Sequence, residues 1–133
     1  MALNFPDTGE NIALEAVVNK TAGQNLVLKL YSNNITPSDT DVAGTYTEAT
    51  FAGYSAITLA GASWNAAAGG SITYSAQQTF TRSSTGAPEN IYGYYCVQAV
   101  SGTLVYSERD AAAPFAVTNL NDAVKITPSI SAN

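Results

Sequence analysis

The stretch Asn90–Asp110, NIYGYYCVQAVSGTLVYSERD, decides how the rest of this chain is read. It holds four tyrosines and the single cysteine around a central Ser101-Gly102 pair, with little charge until Glu108. Period-two alternation on both sides of a turn-forming dipeptide is the pattern of a β-hairpin. A turn at Ser101-Gly102, with two or four loop residues, sets Tyr94 opposite Arg109 and Cys96 opposite Ser107. One face then carries Ile91, Tyr95, Val97, Ala99, Leu104 and Tyr106 and is expected to face the core. The other carries Tyr92, Tyr94, Cys96, Gln98, Val105, Ser107 and Arg109, a mixed set expected to be wet at its edges or covered by something else. A tyrosine ring beside an arginine can stack for about 0.5–1 kcal/mol when exposed. Gly93 interrupts the tyrosine run, marking either a bulge at a sheet edge or a close backbone approach.

The segments around this hairpin repeat the same periodicity. Leu26, Leu28 and Leu30 alternate with Val27, Lys29 and Tyr31, so a half-buried strand with a leucine face is expected. Further strands are predicted over 54–59, 63–67, 71–74, 77–82, 114–118 and 123–127. Turn residues separate them: Ser32-Asn33-Asn34, Thr36-Pro37-Ser38-Asp39 and the cluster Ala66–Gly70. One helix is expected, over 8–19. Asp7 and Glu10 have capping-box spacing, and Ile12, Ala13, Ala16 and Val17 follow at helical spacing. Residues 129–133 read as an extended C-terminal tail. Many short strands with turns between them predict an all-β fold over 1–133: a single-domain antiparallel β-sandwich or small barrel, with an N-terminal arm and helix over 1–19.

Composition narrows the function. Hydrophobic residues make up 46% of 133 residues and charged ones only 11%. That is enough apolar material for one core, with an unusually neutral polar surface. Uncharged polar groups are cheaper to desolvate than ions, which suits a protein covered in part by neighbours. Five basic residues against ten acidic ones, net −5, with no basic run, oppose nucleic-acid binding. No apolar run reaches membrane-spanning length, and no signal peptide is recognisable at MALNFPDTGEN, so no membrane association and synthesis in a reducing cytosol are expected. A lone cysteine forms no internal disulfide.

The residue types that carry chemistry are scarce. The sequence contains no histidine. That excludes Ser-His-Asp and Cys-His arrangements and histidine metal ligands. Cys96, mid-strand among apolar neighbours, reads as an inert buried thiol. Asp39 and Asp41 sit in a turn without a Ca²⁺-loop pattern and read as solvated. Glu108 and Asp110 flank Arg109 as a local charge cluster at a strand end. No carboxylate pair is marked for glycoside hydrolysis. Trp64 is read as a packing residue, with a sugar-stacking platform or an interface anchor as alternatives. No catalytic residue, metal site or cofactor is expected.

Several segments together carry a family resemblance. They are Leu28-Lys29-Leu30-Tyr31-Ser32-Asn33-Asn34-Ile35-Thr36-Pro37-Ser38-Asp39, the run Gly53-Tyr54 through Leu59 to Gly61-Ala62-Ser63-Trp64, Tyr92-Gly93-Tyr94-Tyr95, and Asp122 to Lys125-Ile126-Thr127-Pro128. Over about Leu26–Pro128 the chain resembles small virion proteins of tailed bacteriophages, most of all capsid cement (decoration) proteins of freshwater cyanophages. The resemblance implies a structural protein of the virion, made in the host cytoplasm. It would bind the outer surface of an HK97-like capsid through the major capsid protein and stabilise it, as a homotrimer. A tail, baseplate or fibre component that binds a receptor or glycan is the alternative. The contact residues expected on this basis are Tyr92, Tyr94 and Arg109, the arm residues Phe5 and Pro6, Trp64, and the tail.

Overall fold

The computed structural model describes residues 2–132. In chain order these form β1 (Ala2–Asn4), α1 (Asp7–Val17), β2 (Leu26–Tyr31), β3 (Ile57–Leu59), β4 (Ser71–Thr73), β5 (Gln78–Thr81), β6 (Glu89–Ile91), β7 (Gly93–Gln98), β8 (Leu104–Arg109), β9 (Phe115–Val117), β10 (Ala123–Ile126) and β11 (Ser129–Ser131). All strand pairings are antiparallel. Five strands make one open sheet in the order β1-β8-β7-β2-β3, and the others pair as β5–β10, β4–β11 and β6–β9. The chain is thus β-rich with one short helix. Its described strands do not close into a barrel, because β1 and β3 stay at opposite edges.

The leucine alternation of β2 does what its period predicts. Leu28 and Leu30 are wholly buried and meet Tyr94, Cys96 and Tyr106 of the same sheet. Phe80, Ile91 and Val117 from the two-stranded ladders complete this core, with Val124, Ile126 and Ile130 half-buried against it. The opposite face of the sheet is also covered. Tyr31, Tyr46, Tyr95, Val97 and Leu104 form a second cluster there, with the Tyr46 and Tyr95 rings stacked at 4.9 Å. As a result β7 is buried along its whole length.

The hairpin register differs from the one the turn predicts. A four-residue connection is closed by Gln98 N–H on Thr103 O at 2.9 Å, and Val97 pairs with Leu104. The register then shifts, so that Cys96 pairs with Tyr106, Tyr94 with Glu108 and Gly93 with Arg109. Val105 is the extra residue of a β-bulge. It moves Tyr106 onto the face of Tyr94 and Cys96, and leaves Tyr95 and Val97 with Leu104 on the other. Tyr94 therefore does not face Arg109, and Cys96 does not face Ser107. The irregularity lies at Val105 rather than at Gly93, where the first turn of α1 docks. Thr8 Oγ1 donates to the Leu104 carbonyl at 3.0 Å. Gly9 lies so close to the Val105 carbonyl that a Cβ there would overlap it.

The helix ends two residues before the expected limit and begins one residue earlier, and it has no capping box. Pro6 is its N-cap and offers no side-chain acceptor. The Glu10 amide bonds to Pro6 O at 3.0 Å, and the Asp7 amide is satisfied by Asp39 O at 3.0 Å. Its inward face is Gly9 and Ile12, whereas Ala13, Leu14, Ala16 and Val17 are exposed. Residues 63–67 form no strand; a 3-10 turn over Gly61–Ser63 leads to a single bridge between Trp64 and Tyr74. Both terminal segments are drawn into pairing. The arm forms β1 on β8, and the tail forms β11 on β4, fixed by Tyr74 N–H to Pro128 O and Ala132 N–H to Gly70 O, each at 2.8 Å. Asn133, the last residue of the expected tail, and Met1 lie outside the described residues.

Candidate functional site

Where β6 turns into β7 the chain makes a tight corner. A side chain at Gly93 would strike the Glu108 carbonyl of β8 and the Tyr31 ring, so only glycine lets the strands meet there. Tyr92 is half-buried there, packed against the second aromatic cluster. Its amide donates to Tyr31 O, and its carbonyl accepts from the Asp110 amide, each at 3.0 Å. The Arg109 guanidinium lies 5.2 Å from the centre of the Tyr92 ring. It also donates to Ile35 O at 2.7 Å and to Asn34 Oδ1 at 2.9 Å. Two strands and the 32–38 loop thus hold Tyr92 and Arg109 together as a fixed aromatic–cationic corner. A shallow hollow lined by Leu3, Asn4, Thr36, Pro37 and Asp110 lies beside it.

The other expected contact residues are placed differently. Tyr94 is in the main core, donates to Glu108, and has its hydroxyl pKa raised by burial and by that carboxylate. Pro6 is fully buried and Phe5 packs half-buried on the same core, so this part of the arm is docked. Trp64 is half-buried, edge-on to Tyr74 with ring centres 5.2 Å apart, as its packing reading expects. Of the six, only Tyr92 and Arg109 meet one another, and both are half-buried.

Two groups that could react, Cys96 and Asp41, are engaged inside the fold. Cys96 is inaccessible, and burial pushes its thiol pKa up to about 12. Asp41 is not a solvated turn residue. Tyr46 Oη donates to its Oδ2 at 2.7 Å and accepts from Ser107 Oγ at 2.7 Å. Ser38 supplies its amide and its hydroxyl to the same carboxylate, each at 2.9 Å. Burial alone would raise the Asp41 pKa, but these hydrogen bonds outweigh it and hold the carboxyl below its ordinary value. Asp41 therefore pins the 32–50 loop over the second aromatic cluster. Among the described residues no group of three or more acids or cysteines is placed to hold a metal ion, and no helix is long and apolar enough to cross a membrane.

Two surface features escaped the sequence reading. Leu14, Val17 and Val18 point outward from α1 and are well exposed. A cavity of about 190 Å³ opens beside β10, lined by Ile91, Phe115, Val124 and Ile126 with Asp110 and Lys125. The outward aliphatic residues were hidden because Val17 fits the helical spacing of an inward face equally well. The cavity depends on strands far apart in sequence. No family model matches the chain, and no curated protein matches it.

Proposed function

We propose that this chain is a structural protein of a tailed-bacteriophage virion, a cement protein that binds the outside of an HK97-like capsid through the major capsid protein and stabilises the shell as a homotrimer. It would be made in the host cytoplasm, act by adhesion, and have no enzymatic role. The observation that carries this is the contrast between its interior and its surface. The thiol, the buried aspartate and most of the tyrosine hydroxyls are committed to internal packing and hydrogen bonds. Outside remain a neutral polar surface, the Tyr92–Arg109 corner and several exposed aliphatic residues. The segments that carry the family resemblance hold up this arrangement: Leu28, Leu30 and Tyr31 are buried, and Asp122 caps the turn before β10 through the Thr118 and Asn119 amides. The finer fold proposed with it is a β-sandwich. Its support is the main core, which lies between the five-stranded sheet and residues of the three ladders.

Quantifying this chain against the major capsid protein in purified virions tests the proposal. A cement protein is expected at a copy number close to that of the shell subunits. A few copies per particle would move the assignment to the tail or baseplate. Absence from the particle would end it.

A further inference from the structure

Among the described residues, seven large apolar side chains are exposed: Leu14, Val17, Val18, Val42, Val100, Phe115 and Leu120. The first five surround one end of the β7–β8 hairpin. α1 docks there on Leu104 and Val105; Gln24, just beyond the helix, accepts from the Val100 amide at 2.9 Å; and Val42 shares a hollow with Thr8 and Ser101–Leu104. Helical geometry places Asp7, Glu10, Leu14 and Val17 in one outward stripe, opposite the docked Gly9 and Ile12. This ridge is acidic at its start and aliphatic at its end: Val17 is 82% exposed and Leu14 65%. The side chains of Asp7 and Glu10 make no hydrogen bond or ion pair among the described residues.

The cavity beside β10 is the converse shape. It lies at the Gly93–Asp110 end of the same hairpin, away from α1. Its walls are Ile91, Phe115, Val124 and Ile126, and its volume, about 190 Å³, exceeds the ~150 Å³ that admits a benzene ring, so a leucine side chain fits. Lys125 is also among its lining residues. Lys20 and Lys29 are held in ion pairs, and Arg82 and Arg109 donate to backbone carbonyls of the chain. Lys125 alone of the five basic side chains makes no such contact among the described residues. Asp110, also on the lining, accepts from the Ala112 amide at 2.8 Å.

We propose that copies of this chain associate by seating the acidic–aliphatic ridge of α1 in the cavity beside β10 of a neighbouring copy, Leu14 entering the cavity and Glu10 meeting Lys125. Ridge and cavity sit at opposite ends of one rigid hairpin, so a chain cannot fill its own. The contact is head-to-tail and closes into a ring when the rotation between copies allows it. An anionic membrane surface is a poor occupant for the ridge because Asp7 and Glu10 would be repelled. This inference deepens the self-association in the function proposed above and rests on it.

The test uses the full chain. Its mass is measured by light scattering over a concentration series, and carbodiimide coupling followed by peptide mass spectrometry locates carboxylate–amine contacts between copies. The wild type is expected above monomer mass, with Glu10 coupled to Lys125. Glu10→Lys and Lys125→Glu should each weaken association at least tenfold, and the double exchange should restore it. Leu14→Asp should give a monomer. Melting curves check that the variants stay folded. A wild type that remains monomeric, single variants that associate normally, or coupling confined to other pairs would each overturn the contact. A monomer that still coats capsids would end this inference and leave the cement function standing. A ridge-and-cavity oligomer of a chain missing from virions would do the reverse.

Discussion

Gly9 sits in the first turn of α1 facing the bulged Val105 carbonyl, with no room for a methyl group. In an open helix, alanine would be better than glycine by about 0.5–1 kcal/mol. The close approach reverses that sign: Gly9→Ala should lower stability by about 1–3 kcal/mol as overpacking, read as a drop in melting temperature. A rise would mean that α1 does not dock on the bulge. Protonation works on the same scale. The Asp41 carboxyl is held below its ordinary value in the folded chain. Its stabilisation is therefore full above the ordinary carboxylate range and is lost as pH falls through the folded value. Tyr31 and Tyr95 act at the other end. Burial pushes both up to about 12 from 10.0, so their contribution holds below about 10 and fades as pH rises through about 12. Melting temperature against pH should fall at both extremes, and Asp41→Asn should lessen the fall on the acid side, to which Asp122 also contributes, and leave the alkaline side unchanged. Cys96 was legible as an inert residue because its strand neighbours are apolar on both sides. The partners of Tyr94 and Arg109 were not, because the loop spans Ala99–Gly102 instead of centring on Ser101-Gly102 and a one-residue bulge at Val105, packed by a helix nearly a hundred residues earlier, shifts β8 again.

Among the elements, β2 lies between β7 and β3 and supplies two wholly buried leucines. Leu28 is wholly buried between the sheet and the ladders. Leu28→Ala should cost about 2–5 kcal/mol through the cavity left behind, enough to unfold a marginal domain, as denaturant titration would report. An unchanged midpoint would contradict the inward leucine face. β2 was readable in this way, whereas β7 was readable only as a strand: the main core lies on its Tyr94 and Cys96 face, not on the expected face of Tyr95 and Val97. The terminal strands β1 and β11 were not: three residues at a sheet edge show no periodicity, and their pairing depends on β8 and β4 being in place. The helix was readable from its spacing, but the capping box at its start failed. Pro6 occupies the cap position, and the Asp39 carbonyl satisfies the Asp7 amide instead.

Over the whole molecule, a core on each face of one sheet makes β7 the central element. The features on which the proposed contacts rest are the Tyr92–Arg109 corner, the α1 ridge and the apolar cavity lined in part by Lys125. The β-rich class with one short helix followed from periodicity. The contact features did not, since each joins residues from distant parts of the chain. Adhesion to a phage shell is tested most directly by imaging the virion at a resolution that traces this chain. The prediction is that it lies on the outside of the capsid at equivalent positions across the lattice, touching the major capsid protein. Density for it only in the tail, or none anywhere in the particle, would contradict the account.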